Sequence, residues 1–233
     1  RITMPHTLEA MQEKVGGYIQ AIYPYEDPVA IICNEEGKLE GLDAVVVQCG
    51  VGKVNAAMCV QTLCDLFSVT HIVNTGVAGS LCAELDIGDF VISTDAMYHD
   101  MNCVNFGYPM GQVPGMDVLT FPADKAMIDY AFAAAESVNP GHTKKGRIAT
   151  GDQFITNRDE LDKIKGNFPA GLAVDMESAA IAQTCHIYGV PFVSFRIISD
   201  TPGVDKHIQQ YENFWGEMAD RSFGVTRRFL MKL

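Results

Sequence analysis

Apolar positions along the chain follow two alternating patterns, and each predicts one kind of element. Short continuous apolar runs, typical of strands buried on both faces, occur at residues 44–48, 71–74, 90–93, 146–150 and 190–199. Helical spacing of apolar residues occurs at 55–67, 124–138 and about 208–230, and residues 173–186 combine a short strand with a helix. This alternation predicts an α/β fold whose sheet is covered by helices on both faces.

Composition narrows the classes of function. Apolar residues make up 48 % of the chain, which is enough for a full core, and the formal net charge of -12 argues against binding to nucleic acid. We expect no membrane association, because no run of eighteen apolar residues or signal peptide is found. The seven cysteines are scattered without a CxxC pair, so we expect a reducing cytoplasm, no disulfides and no structural zinc.

Two strand ends carry the acidic side chains with the clearest chemical potential. Ligands of α/β sheets bind beyond the carboxyl ends of strands, which is where Ser199 and Asp200 fall. Asp200 is either a general acid or a residue that caps the following turn. Glu177 lies between an apolar segment and a helix rich in alanine, so it either accepts the two hydroxyls of a ribose or stabilises the start of that helix.

Other segments give weaker signals. The glycine-rich turns at 50–52 and 76–79 fit neither a dinucleotide motif nor a P-loop, but both would let a ligand approach the backbone. Phe154 either stacks on a purine or is buried under its loop. His99 and Asp100 are adjacent but lack a nucleophile motif, so a structural role is expected. The long apolar loop at 105–115 is expected to be functional or to lie in an interface.

The order of these segments carries a resemblance. The runs VVVQCGVGKVNAA, NTGVAGSL, IGDFVIST, ATGDQFI, AVDMESAAIAQTCHIYGVPF and FRIISD resemble the purine nucleoside phosphorylase superfamily. Within it, residues 37–233 are most similar to 5'-methylthioadenosine/S-adenosylhomocysteine nucleosidases. The resemblance implies a single α/β domain with a mixed central sheet, a homodimer, and hydrolysis that releases adenine. It also implies neither a metal nor an organic cofactor.

The same resemblance implies a role for individual residues. Asp200 would protonate the purine ring with Ser199 orienting it, and Arg196 would anchor the carboxylate that activates water. The remaining residues would surround the substrate: Glu177 and Met176 at the ribose, Phe154 and Ile155 at adenine, Val51 and Gly79 along the pocket, and Phe106, Tyr108 and Pro114 over the 5'-alkylthio group of the partner subunit's ligand.

The first 36 residues depart from the family pattern. The family opens with an apolar strand followed by a water-activating glutamate, whereas Pro5 would disrupt a central strand here. Glu13 is the nearest candidate base, but it lies one residue early, a rotation of about 100° on a helix. We therefore predict an atypical segment at 1–36, with a helix capped by Thr7 and strands at 18–23 and 29–33, and a nucleosidase domain at 37–233.

This departure leaves three functions open. The first is a nucleosidase whose activity is impaired by the missing or shifted glutamate. The second is a catalytically silent protein that binds adenine nucleosides, and the third is a purine nucleoside phosphorylase. The resemblance implies hydrolysis instead of phosphorolysis, because phosphorylases of the superfamily need arginines around a phosphate and the turn at 76–80 supplies none.

Overall fold

The computed structural model describes residues 30–39, 42–205, 207–217 and 219–232. Eight strands are present in these ranges: β1 Ala30–Leu39, β2 Leu42–Gln48, β3 Ile72–Ser80, β4 Phe90–Tyr98, β5 Phe121–Pro122, β6 Thr143–Thr150, β7 Gly171–Asp175 and β8 Phe192–Asp200. Six α-helices accompany them: α1 Lys53–Leu66, α2 Lys125–Val138, α3 Arg158–Asn167, α4 Ser178–Tyr188, α5 His207–Glu217 and α6 Ala219–Leu230.

Five of the strands form a closed circuit of pairings. β3 pairs in parallel with β8, β8 antiparallel with β4, and β4 in parallel with β6. β6 then pairs in parallel with β7, and β7 returns to β3 in antiparallel orientation. Strands β1 and β2 extend the sheet from β3, and β5 extends it from β4. The predicted mixed central sheet is confirmed, and it closes on itself to form a barrel.

Helices pack on both faces of this sheet, as the alternating pattern predicts. On one face α1 contributes Ala56, Val60 and Leu63 to a buried cluster that includes the alanines of α4. A second buried cluster joins α2 to α6 around the aromatic rings of Phe90, Phe195 and Phe229. Residues 208–230, predicted as one helix, correspond to α5 and α6 on either side of residue 218.

The two glycine-rich segments differ in conformation. Gly50 and Gly52 have φ angles of 79° and 91°, so the chain turns there, as predicted. The turn predicted at 76–79 is wrong, because these residues belong to β3 and pair with residues 196–200 of β8. The hydrogen bonds of the neighbouring strand therefore outweigh the local tendency of glycine to break a strand.

The predicted division of the chain falls partly outside the described residues. The helix at Thr7, the strand at 18–23 and the candidate base Glu13 all lie there, and the two-segment organisation stays a prediction. The strand predicted at 29–33 is confirmed over residues 30–33. β1 continues from there to Leu39 and pairs with both β2 and β3, so the join predicted between residues 36 and 37 lies within one strand.

Two further properties concern the described part of the chain. None of its helices is long and apolar enough to cross a membrane. Its six cysteines with described side chains are all free thiols, at positions 49, 59, 64, 82, 103 and 185.

Candidate active site

A cleft lies where the carboxyl ends of four strands meet. β3 and β7 are antiparallel and pair only through their last residues, with Gly79 opposite Val174 and Ser80 opposite Ala173. The ends of β3 and β8 are thereby brought against the ends of β6 and β7. The cleft encloses about 580 Å³, part of it open to solvent, and the following residues line it: Val51, Val77, Ala78, Gly79, Gln153, Phe154, Ile155, Val174, Asp175, Met176, Glu177, Ser199, Asp200, Pro202 and Tyr211.

Asp200 is the last residue of β8 and forms part of the cleft wall. Its exposed fraction is only 2 %, and that of Ser199 is 1 %. Ser199 Oγ lies 2.7 Å from Asp200 Oδ1 and donates a hydrogen bond to it. A shift in register between Ala78 and Gly79 places Asp200 opposite Gly79. The carboxyl group is thus held in a fixed orientation at the edge of a strand.

A separate set of buried charged side chains, two carboxylates and one guanidinium, is centred on Arg196 of β8. Its guanidinium Nη2 lies 2.6 Å from Asp175 Oδ2 and 3.3 Å from Glu177 Oε2. Asp175 is also held by the hydroxyl of Thr150, at 2.6 Å, and by the hydroxyl and backbone N–H of Ser178. Glu177 Oε1 accepts a hydrogen bond of 2.9 Å from the backbone N–H of Gly52. One arginine therefore serves two buried carboxylates.

This arrangement changes the acidity of Glu177. Burial, with a smaller contribution from the negative charge of Asp175, raises the pKa of its carboxyl group to about 7. The charge of Arg196 and the Gly52 N–H act in the opposite direction. Burial is the largest of these influences, so the net shift of the pKa is upward.

The other terminal nitrogen of Arg196, Nη1, is a buried donor that has no partner in the described part of the chain. No hydrogen-bond acceptor for Nη1 is found among the described residues, although the side chain is fully buried. Buried guanidinium donors are normally satisfied, so this position calls for an oxygen atom from a ligand, a water molecule or another part of the chain.

Aromatic and apolar groups form the rest of the cleft. Phe154 is 42 % exposed, and its ring contacts Tyr211 edge to face with the centroids 5.3 Å apart. Ile155 is buried beneath it. Gly79 is required by packing, because a Cβ there would lie 2.8 Å from the Cγ of Pro202. The cleft thus combines a flat apolar portion with carboxyl groups at one end.

Known proteins with the same pattern are numerous. The family model described as the phosphorylase superfamily matches residues 3–231. A 5'-methylthioadenosine/S-adenosylhomocysteine nucleosidase of Anoxybacillus flavithermus is 39 % identical over 225 residues, which is 96 % of each chain. The chain belongs to this nucleosidase family. The match to the family model begins at residue 3. It therefore extends into the segment 1–36, farther than was expected from the sequence.

Solved structures of the family have the same fold. The nucleosidase from Neisseria meningitidis in complex with methylthio-immucillin-A has a TM-score of 0.79 at 35 % identity, covering 84 % of each chain. The nucleosidase from Colwellia psychrerythraea in complex with adenine also has a TM-score of 0.79, at 37 % identity, covering 84 % of this chain and 81 % of that one.

Most of the residues that the family resemblance pointed to meet in the cleft. Eight line it directly, and Ser199 is one of them; the others are Val51, Gly79, Phe154, Ile155, Met176, Glu177 and Asp200. Arg196 lies behind Glu177. Phe106, Tyr108 and Pro114 are not among its lining residues; Phe106 follows β4 in a short 3-10 helix and is 84 % exposed.

Some features of the site were not predicted. Asp175 was assigned no role from the sequence, yet it forms the shorter ion pair with Arg196. Tyr211 was overlooked because it belongs to no quoted motif of the family, and Gln153 was overlooked although it lies within the quoted run ATGDQFI. The Gly52 N–H could not be found from sequence, since a backbone donor has no residue-type signal. The described residues contain no cluster of three or more His, Cys, Asp or Glu suited to a metal ion.

Proposed function

We propose that the protein hydrolyses the N-glycosidic bond of 5'-methylthioadenosine and of S-adenosylhomocysteine and releases adenine. The observation that carries this proposal is the charge of the cleft. Among its described lining residues are Asp175, Glu177 and Asp200 but no lysine, arginine or histidine. Such a cleft suits a ribose that develops positive charge in the transition state, and it disfavours a bound phosphate.

Asp200 is proposed as the general acid. In this role its carboxyl proton passes to the purine ring, and the electron pair of the bond between C1' and the ring nitrogen leaves with adenine. Ser199 positions the carboxyl through its 2.7 Å hydrogen bond. A proton delivered to the leaving group typically contributes a factor of about 10² to 10⁴ in rate.

Glu177 is proposed to bind the ribose hydroxyls. A carboxylate accepts two hydroxyl hydrogen bonds at once, and Glu177 lies at the cleft surface with its charge balanced by Arg196 only at 3.3 Å. Met176 is its neighbour along the same wall. Phe154 and Ile155 are proposed to hold adenine, with Val51 and Gly79 lining the pocket.

The group that activates water is proposed to dock on Arg196. The buried Nη1 donor needs an acceptor, and a carboxylate in that position would also orient an attacking water. We propose Glu13 for this role. The attacking water would give its proton to this carboxylate while its oxygen bonds to C1' of the ribose.

A homodimer in the cytoplasm is proposed as the working form. The high exposure of Phe106 suits a side chain that covers the 5'-alkylthio group of a partner's ligand, together with Tyr108 and Pro114. Free thiols at the six described cysteines fit a reducing compartment. Light scattering of the purified chain tests the dimer: a monomer that still turns over substrate would contradict it.

The experiment that tests the function is release of adenine from 5'-methylthioadenosine with and without phosphate. Release that does not depend on phosphate is expected. A phosphate requirement would identify a phosphorylase instead. Binding of the nucleoside without release would identify a silent binding protein. Where release is observed, Glu13→Gln tests whether the turnover uses that carboxylate.

A further inference from the structure

Three loops meet beside the cleft through one set of charged side chains. Lys53 Nζ lies 2.7 Å from Asp100 Oδ2 and 3.4 Å from Asp152 Oδ2. These residues follow β2, β4 and β6 respectively, and 99 positions separate Lys53 from Asp152. None of the three is among the lining residues of the cleft. We refer to Lys53, Asp100 and Asp152 as the loop triad.

The triad supplies the N-terminal cap of α1. The residue before this helix is Gly52, which has no side chain with which to cap it. Asp152 Oδ1 instead accepts a hydrogen bond of 2.8 Å from the backbone N–H of Lys53. A carboxylate at this position satisfies a free N–H and interacts favourably with the helix dipole. A residue distant in sequence thus performs the task of a local cap.

Asp152 is itself fixed by the rest of the triad. Its backbone N–H donates a hydrogen bond of 3.0 Å to Asp100 Oδ2, the same oxygen that contacts Lys53 Nζ. The ammonium of Lys53 also lies 5.4 Å from the ring centroid of Tyr98, over its face. The loops after β4 and β6 therefore present the carboxylate of Asp152 to α1 in one orientation.

The cap that Asp152 provides also restrains Gly52, whose backbone N–H binds Glu177. The Gly52 N–H that binds Glu177 Oε1 belongs to the residue immediately before the capped N–H of Lys53. Gly50 and Gly52 both have positive φ, so the turn has few intrinsic restraints on its conformation. A Cβ on Gly52 would lie 3.2 Å from Asp152 Oδ1, which places the two residues in direct contact.

We propose that Asp152 is a positioning residue of the nucleosidase: with Lys53 and Asp100 it holds the Gly52 amide on Glu177 and so controls nucleoside binding without touching the nucleoside. This inference rests on the proposed function for the role of Glu177 in ribose binding. It also gives a specific role to Asp100, for which a structural role was expected.

The test compares Asp152→Ala with Asp152→Asn. Alanine removes the cap, whereas asparagine keeps an oxygen that accepts from the Lys53 N–H. For 5'-methylthioadenosine we expect Asp152→Ala to raise KM by about 3- to 10-fold with kcat within about twofold of wild type. Asp152→Asn should restore KM to within about twofold. Asp129→Ala, which removes an exposed partner of Lys145, serves as the control for loss of a surface ion pair.

A double variant separates positioning from general loss of stability. Combined with Glu177→Ala, the substitution Asp152→Ala should change KM by less than about twofold, because the acceptor of the Gly52 N–H has already been removed. Additive effects of the two substitutions would overturn the proposal. Equal KM values for wild type and Asp152→Ala would overturn it as well.

A pH profile gives a second readout. The groups that face Glu177 are Arg196, Asp175, the thiol of Cys49 and the Gly52 N–H. Of these only the Gly52 N–H is expected to move in Asp152→Ala, and its loss raises the pKa of Glu177. The pH at which KM improves should therefore shift upward in this variant and remain unchanged in Asp152→Asn.

Amide hydrogen exchange tests the positioning without any substrate. The Gly52 amide should exchange about tenfold faster in Asp152→Ala than in wild type or Asp152→Asn. If the wild type neither binds nor cleaves the nucleoside, the proposed function fails while this measurement still decides the positioning. Unchanged exchange of Gly52 would overturn the inference even in an active enzyme.

Discussion

At the scale of single residues, Asp200 and Glu177, the two cleft acids to which roles are proposed, have different groups around their carboxyl oxygens. Asp200 is contacted by the hydroxyl of Ser199, which can orient a carboxyl group without neutralising it. Glu177 faces a guanidinium and a backbone N–H, which stabilise a negative charge. These surroundings suit the transfer of a proton at Asp200 and the acceptance of hydroxyl hydrogen bonds at Glu177.

Asp200→Asn tests the general acid. Asparagine keeps the shape and a hydrogen-bonding oxygen but has no proton to transfer, so kcat should fall by about 10² to 10⁴. The dissociation constant for adenine, measured by calorimetry, should stay within about threefold of wild type. Turnover at the wild-type rate would contradict the assignment, and Ser199→Ala is expected to be intermediate because the acid remains but loses its orientation.

The raised pKa of Glu177 predicts that nucleoside binding depends on pH. Its pKa of about 7 means that the carboxylate form, which accepts the ribose hydroxyls, appears as the pH rises through neutrality. Nucleoside affinity should therefore increase between about pH 6 and pH 8. Glu177→Gln should bind about 1.5 to 3 kcal/mol more weakly, without this dependence. An unchanged dissociation constant in the variant would count against the assignment.

The same pKa has an opposite effect on folding. The carboxyl pKa rises from its usual 4.5 to about 7 on folding, so the folded protein holds a proton that the unfolded chain has released. The contribution of Glu177 to stability is thus greatest below about pH 4.5 and is lost as the pH approaches 7. Ligand binding requires the carboxylate form of Glu177, whereas folding favours its protonated form.

At the scale of elements, α2 gives a local test of helix capping. The side chain of Asp124 accepts a hydrogen bond of 3.0 Å from the N–H of Met127. Asp124→Ala should lower the free energy of unfolding by about 1 kcal/mol, measured by urea denaturation. Asp124→Asn retains an acceptor and should lose less than half of that amount; equal losses in both variants would show that the cap is not the cause.

The sequence predicted elements well where one pattern dominated and poorly where two patterns competed. The helix at 124–138 is found with its predicted boundary at Val138 because apolar spacing and the Asp124 cap agree. β3 was predicted to end at Asn74, since two glycines follow. Its continuation to Ser80 depends on β8, a strand about 120 residues later, and no local pattern records that pairing.

At the scale of the whole molecule, the ion group around Arg196 lies within the closed circuit of strands. Its guanidinium is fully buried and balances Asp175 and Glu177. The sequence indicated Glu177 and the arginine, but neither the role of Asp175 nor that one guanidinium would serve both carboxylates. That relation arises only when the end of β7 meets β8 across β3.

Arg196→Met tests how much the fold depends on this charge. Two buried carboxylates would lose their cation, so the free energy of unfolding should fall by about 3 to 5 kcal/mol near pH 8. The loss should shrink towards pH 5.5, where the carboxyl group of Glu177, whose pKa is raised further without the guanidinium, is protonated.

Arg147→Met is the matched control for this experiment. Arg147 also pairs with an aspartate of the barrel, Asp95, at 2.6 Å, but about a quarter of its side chain is exposed. The substitution Arg147→Met should lower the free energy of unfolding by no more than about 1 kcal/mol. A similar loss in both variants, or no dependence on pH, would contradict the view that buried charge is the cause.

The closed circuit of strands has a consequence for how this protein can diverge. The pocket wall that carries Asp200 and Glu177 is built from β8 and the end of β7, two strands fixed through their common neighbour β3. Their separation cannot change without breaking ladder hydrogen bonds. The loops that carry Val51 and Phe154 are held by side-chain contacts of the loop triad instead of by ladder hydrogen bonds. New substrates should therefore be acquired by exchanging loops, while the spacing between proton donor and ribose anchor is inherited unchanged.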